Sequence, residues 1–253
     1  LKIFRRIRKQ FRFDVLNVHW AYPDGFAGIL LGIVFNVPVV VTAHGSDVYS
    51  YSTYPGVRQL LRWTLNKANA VIAVSKALKS AIETTCTKCR AEVIPCAAVD
   101  PLRFHMLDRE QCRKELGLPA EKKIVLFVGN LVRVKGVRYL IEAIGMLKDA
   151  GQQNMLLVLV GEGSEKAALQ EDVRRHGLEQ FVLAVGRRTH QEIPRWMNSA
   201  DLFCLPSLSE GMPNVLIEAM ACGTPVVGTQ VGGVPDIIKS DRLGSVVPPA
   251  DSA

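Results

Sequence analysis

Short, almost wholly apolar runs alternating with helix-patterned stretches predict an α/β protein of two domains, each built on a parallel sheet. Two observations carry this. The runs have strand length and read apolar nearly throughout, as in residues 38–42 (PVVVT), 123–128 (KIVLFV) and 155–160 (MLLVLV). A strand apolar at every position is covered on both faces, as parallel strands under crossover helices are. Finally, residues 93–104 (VIPCAAVDPLRF) lack periodicity and read as a linker between a first domain of residues 1–98 and a second of residues 99–253.

Taken in order, residues 1–12 have helical spacing, with Ile3, Phe4, Ile7 and Phe11 on one stripe. Residues 14–19 read as a strand, 26–35 as a buried helix, and 38–42 as the next strand. Residues 54–69 form a helix and 70–74 a strand. Ser75 suits the N-cap of a helix over 76–84, and 91–95 ends this half. Residues 109–116 form a helix closed by Gly117. The second domain then alternates strand 123–128, helix 137–148, strand 155–160, helix 165–177, strand 181–185, short helix 191–197 with Trp196 in the core, and strand 200–205. Pro213 suits the first position of the following helix, which Gly223-Thr224-Pro225 ends. A strand starts at Val226-Val227, residues 228–235 make a glycine-rich loop, 236–240 a short helix, and 246–248 a last strand.

The chain has 253 residues, 48% hydrophobic and 22% charged, which is a globular composition with ample core. No apolar run reaches the ~18–20 residues of a membrane span, because Gly28, Gly32, Asn36 and Pro38 interrupt the longest. No signal peptide is visible, and the chain is expected in the cytoplasm. Net charge is +7, and six lysines and arginines with no acid stand in the first twelve residues. Basicity this local argues against a nucleic-acid partner. The same residues make a basic amphipathic helix with two readings: contact with an anionic membrane surface, at the inner face of the plasma membrane, or a sheet-covering helix with a solvated basic face. Six cysteines are present. Cys86 and Cys89 form a C-x-x-C with no second pair at zinc spacing, so reduced structural thiols are expected and no metal site is assigned.

Ligands of parallel sheets bind at the carboxyl ends of strands. His44 stands at such an end, in Ala43-His44-Gly45-Ser46-Asp47, with Ser46 or Asp47 as candidate caps. Arg133 and Lys135 stand at another, on the glycine-bounded loop from Gly129 to Gly136, where two cations suit phosphate oxygens. Gly161 and Gly163 follow a third strand and let backbone pass near a ligand. After the strand ending at Leu205, a loop with Glu210 and Gly211 leads to a helix whose first N–H groups, on Asn214, Val215 and Leu216, suit an anion. Glu218 lies ~12 Å further along at about 1.5 Å per residue. Carboxylates on either side of an anion site suit hydroxyls, and sugar hydroxyls, diphosphate and ribose hydroxyls are the layout of a nucleotide-sugar.

Residues 210–227, Glu-Gly-Met-Pro-Asn-Val-Leu-Ile-Glu and then Ala-Met-Ala-Cys-Gly-Thr-Pro-Val-Val, resemble the E-x7-E signature of retaining GT-B glycosyltransferases of family 4, also called glycosyl transferases group 1. The His44-Gly45-Ser46-Asp47 run, the Arg133…Lys135-Gly136 pair and the Val160-Gly161-Glu162-Gly163 turn are similar to that family's too. The linker departs from the usual Ile-Pro-Asn-Gly-Val-Asp: Cys96-Ala97 replaces Asn-Gly and one residue is added. The resemblance implies two Rossmann-like domains facing a cleft, a partial acceptor-side domain and a donor domain lacking its last helices, with the chain truncated at both ends.

It further implies transfer of a hexosyl group from a nucleotide-diphosphate sugar to a glycan or glycolipid acceptor hydroxyl, with retention, in polysaccharide, glycolipid or cell-envelope synthesis. Glu210 would bind sugar hydroxyls near the reacting carbon and His44 the sugar. Arg133 and Lys135 would stabilise the leaving diphosphate with the N–H groups of Asn214, Val215 and Leu216, and Gly129, Gly161, Gly163 and Gly211 would line the nucleotide-sugar site. Arg187 would meet the base and Glu218 the ribose, with no cofactor and no metal required. A covalent nucleophile stays open beside a front-face mechanism, as do a same-fold nucleotide-sugar epimerase, a glycan phosphorylase and a non-catalytic nucleotide-sugar-binding fragment.

Overall fold

The computed structural model describes residues 1–252, which divide into two compact units. The first comprises residues 1–96 together with 210–212, and the second comprises 97–209 and the chain from Pro213 onward.

The first unit contains α1 (Lys2–Gln10), β1 (Leu16–His19), α2 (Asp24–Phe35), β2 (Val39–Ala43), α3 (Ser46–Tyr49), α4 (Pro55–Lys67), β3 (Ala70–Ala73), α5 (Lys76–Thr85) and β4 (Ala91–Val93). Its four strands are parallel and lie in chain order, β1-β2-β3-β4. Val39, Val41 and Val71 bury their side chains with Ile29 of α2, Leu61 and Leu65 of α4, and Leu78 and Ile82 of α5. Ser75 caps α5 as expected, its hydroxyl accepting from the Leu78 N–H at 3.2 Å. Neither Ser46 nor Asp47 caps α3, whose N-cap position is Gly45. Cys86 and Cys89 are unpaired and buried, and burial, then Cys86, pushes the Cys89 thiol up to about 11. Among the described residues, no three His, Cys, Asp or Glu gather into a metal-holding group.

The second unit contains α6 (Arg109–Leu116), β5 (Lys123–Val128), α7 (Val137–Asp149), β6 (Met155–Val160), α8 (Lys166–Arg175), β7 (Val182–Gly186), α9 (Ile193–Ser199), β8 (Leu202–Leu205), α10 (Asn214–Ala221), β9 (Val226–Thr229), α11 (Val234–Ile237) and β10 (Ser245–Val247). All six strands are parallel, in the order β10-β9-β8-β5-β6-β7. Every residue of β6 is buried, because successive residues feed different cores. Leu156, Val158 and Val160 join Trp196, Met197, Leu216 and Ala219 of α9 and α10. Leu157 and Leu159 join Ile141 and Ile144 of α7 and Leu169 of α8. This period-2 division between two helix layers explains the unbroken apolar run.

The structure shifts several expected boundaries. Helix α10 starts at Asn214, with Pro213 at the N-cap in an extended conformation (ψ 98°) rather than at the first helical position. The helix expected over 236–240 is α11, which starts earlier because Pro235 fits the first turn, where no N–H is needed. Gly228 belongs to β9 rather than to a loop. The short α3 and the 3-10 turns Tyr51–Thr53 and Arg133–Lys135 span too few residues to show a period.

One buried ion pair ties α6 to the sheet. Arg113, 7% exposed, donates to Asp201 Oδ2 at 2.7 Å and to the Ser199 and Ala120 carbonyls at 2.9 and 3.0 Å. Asp201 also accepts from the Ile124 N–H at 2.7 Å. Without Arg113, Asp201 keeps only the more exposed Arg109, at 3.1 Å, and the Ser199 and Ala120 carbonyls lose their donor. Arg113→Ala is therefore expected to lower unfolding free energy by about 3 kcal/mol, read as a reduced midpoint in urea; an unchanged midpoint would contradict this role.

Candidate functional site

In the second unit the chain runs from β5 outward to β7, then returns to lay β8 against the other side of β5. Loops leave the carboxyl ends of β5 and β8 at this reversal, the place where open parallel sheets bind their ligands. The β5 loop carries the 3-10 turn Arg133–Lys135, with Arg133 exposed and Lys135 half-buried. The β8 loop leads to α10. The two are stitched together: the Leu208 N–H donates to the Val134 carbonyl at 2.8 Å. Gly136, at φ 63°, lies against the Pro206 carbonyl, where any Cβ would collide. The β8 loop is held in turn by Thr229, whose hydroxyl donates to the Ser207 carbonyl. The turn that carries the predicted cations is thus hydrogen-bonded to the loop that follows β8.

At that helix start, the Leu216 N–H donates to the Pro213 carbonyl at 3.2 Å. Helix geometry gives Asn214 and Val215 no intrahelical acceptor, so they are the better donors to an anion. Glu210 and Gly211 precede them, half-buried. Glu218 lies on α10 with its side chain 13% exposed.

A hollow of about 360 Å³ opens at the ends of β5, β6 and β7. Gly129, Gly161, Arg187, Arg188 and His190 line it. Gly161 is required by loop packing as well as by any ligand, since a Cβ there would strike the Gly129 carbonyl. Gly163 lies equally close to the Leu131 carbonyl. Glu162 pairs with Lys166 at 2.8 Å, one turn on. Arg188 stacks over Trp196 at 5.8 Å.

In the first unit, His44 follows β2. Its Nε2 meets Nδ1 of His19, at the end of β1, at 2.8 Å. The buried Asp47 carboxylate fixes the loop around it: Oδ1 accepts from the His44 and Gly45 N–H groups at 3.0 and 2.7 Å, and Oδ2 from the Ala21 N–H at 2.7 Å. Within the same unit, Gly211 lies against the His44 carbonyl, with no room for a Cβ. Sequence reasoning singled out His44 but missed His19, Asp47's role and His190. Parallel pairing of Thr42 with His19 is the pattern that places His19 beside the β2 loop.

Residues 108–253 match the family described as Glycosyl transferases group 1, and residues 1–100 the one described as Glycosyltransferase Family 4. The chain is 35% identical over 224 residues to the putative teichuronic acid biosynthesis glycosyltransferase TuaC of Bacillus subtilis (strain 168), covering 87% of this chain and 54% of that protein. It is 29% identical to the N-acetyl-alpha-D-glucosaminyl L-malate synthase of Bacillus anthracis, covering 91% and 60%. Among solved structures, sucrose-phosphate synthase from Thermosynechococcus elongatus matches with TM-score 0.86 at 26% identity, over 99% of this chain and 64% of that one. HepE of Anabaena in complex with UDP matches with TM-score 0.86 at 24% identity, over 99% and 68%. The chain thus spans little more than half the length of the curated relatives named here.

Burial lowers the His44 pKa; Asp47 opposes that shift and His19 adds to it. A folded value below the unfolded ~6.5 means the unfolded chain takes the proton first. The neutral ring therefore contributes stability above that pH, and the contribution is lost as pH falls from ~6.5 toward the folded value. His19→Asn removes one depressing neighbour and is expected to raise the His44 titration midpoint, followed by NMR of the imidazole protons. A midpoint that stays put or falls would show that His19 does not act on His44.

Proposed function

This chain belongs to the glycosyl transferases group 1 family, and we propose that it transfers a hexosyl group from a nucleotide-diphosphate sugar to an acceptor hydroxyl with retention of configuration. The observation that carries the reading is the stitched pair of loops at the ends of β5 and β8. The turn bearing Arg133 and Lys135 is hydrogen-bonded to the loop after β8, and the chain runs on from that loop through Glu210 to α10 and Glu218. As the bond from sugar carbon to diphosphate oxygen breaks, negative charge gathers on the diphosphate. Arg133, Lys135 and the N–H groups of Asn214 and Val215 are placed to take it up, and the reading requires no metal or cofactor. The acceptor oxygen forms its bond on the face the diphosphate leaves, and its proton passes to a diphosphate oxygen. Glu210 and His44 bind the sugar, Glu218 the ribose and Arg187 the base. Structures of HepE, which shares the fold, hold UDP or UDP-glucose, which supports a nucleotide-sugar donor. The acceptor we propose is a glycan or glycolipid in polysaccharide or cell-envelope synthesis, the setting that TuaC's name gives for that relative.

Calorimetric titration with UDP, GDP, ADP and CMP tests the site. One nucleoside diphosphate is expected to bind, and Arg133→Ala with Lys135→Ala to weaken it roughly 100- to 10,000-fold, since two charge-assisted hydrogen bonds at about 1.5–3 kcal/mol each are lost. Glu210→Gln is expected to keep that binding and abolish sugar transfer. Binding indifferent to the cations, or full transfer by Glu210→Gln, would sink these assignments.

Helix α1 buries none of its residues; Phe4 packs on Phe13 and Phe35, while Ile3 and Phe11 stay 67% and 66% exposed beside the cations. No helix among the described residues is long and apolar enough to cross a membrane. We propose that α1 instead lies on an anionic membrane surface, on its cytoplasmic face. The protein is expected to float with phosphatidylglycerol-containing vesicles and not with phosphatidylcholine alone; Ile3→Ser with Phe11→Ser should abolish flotation, and equal flotation of wild type on both would contradict the proposal.

A further inference from the structure

Glu218 is held by a chain of two further side chains. His190 Nε2 lies 3.2 Å from Glu218 Oε1, and Arg103 Nη1 lies 2.7 Å from His190 Nδ1. A guanidinium has only donors, so Nδ1 of the imidazole must accept. The ring proton therefore sits on Nε2, where it donates to the carboxylate, and the tautomer is set by the arginine. Phe104, 2% exposed and part of the second unit's core, packs its ring 5.1 Å from the imidazole and limits its rotation. His190 also lines the hollow at the ends of β5, β6 and β7, together with Gly129, Gly161 and Arg187.

We propose that His190 is a positioning residue for Glu218, held in its donor tautomer by Arg103, and that this relay sets the preference for a ribose over a deoxyribose nucleotide. The inference rests on the reading of Glu218 as the acceptor of ribose hydroxyls. A free glutamate swings about three torsions and adapts to one hydroxyl as readily as to two. With Oε1 engaged by the imidazole, the carboxylate plane is fixed and Oε2 stays aimed at the ligand. Loss of a ribose hydroxyl then leaves a fixed acceptor unpaired, and a site built this way rejects the ligand that lacks it. Three separate segments converge here: the stretch before α6, the β7–α9 loop and α10.

The test is equilibrium binding of UDP against 2′-deoxy-UDP, with the GDP and ADP pairs run alongside, on wild type, His190→Ala, His190→Gln and Arg103→Ala. Wild type is expected to favour the ribose form of its nucleotide by roughly tenfold or more. His190→Ala should shrink that ratio to below about threefold, chiefly by weakening the ribose form. Glutamine, which carries an amide N–H₂ within reach of Glu218, should restore most of the ratio. Arg103→Ala, on an exposed arginine, should move it in the same direction as His190→Ala and serves if that variant fails to fold. A His190→Ala protein that weakens both forms equally, or keeps the wild-type ratio, would overturn the positioning role while leaving Glu218 as the ribose group. A wild type that binds a nucleoside diphosphate without preferring ribose would overturn the Glu218 reading, and the relay with it.

Discussion

Between β5 and β8 the chain reverses the direction in which it adds strands, and the candidate site of the second unit depends on that reversal. Parallel strands need crossovers, and each crossover carries its loop away over one face of the sheet. Where the direction changes, loops from two strands that are distant in the chain meet at one edge of the sheet, the usual place for a ligand. The reversal makes residues 134–136 and 206–208 neighbours despite the intervening β6, α8 and β7.

Rigidity around that place comes from backbone rather than from side-chain packing. The Leu208–Val134 hydrogen bond, the close approach of Gly136 to Pro206 and the seating of Gly161 and Gly163 on the β5 loop hold the loops in register. Preorganised N–H groups and cations lose little freedom when an anion arrives, so their attraction is retained as binding and as stabilisation of developing charge. The carboxylates are supported differently. Asp47 is buried and holds loop N–H groups, whereas Glu218 is itself held, through His190.

The elements whose period is complete were legible in sequence to the residue: β5, β6 and α6 match their apolar patterns end to end. Local chemistry was legible too, including the Ser75 cap, the Gly117 helix stop and the charged glycine-bounded loop. The E-x7-E stretch could be read because residues 210–227 are contiguous, so their resemblance to the family signature needs no tertiary contact to be seen. Short elements such as α3 and the Arg133–Lys135 turn were not, since one turn contains no period.

By itself, then, the sequence determined two parallel-sheet units, their family, and which cations, carboxylates and glycines stand at the carboxyl ends of strands. Strand order was decided only by tertiary structure, because alternating patterns are the same whichever neighbour a strand chooses. So were the partners: His19 for His44, Asp201 for Arg113, and His190 with Arg103 for Glu218. These pairs lie from 25 to 88 residues apart. No local spacing encodes such contacts; they form where crossovers bring separate strand ends together, and the sheet fixes that place.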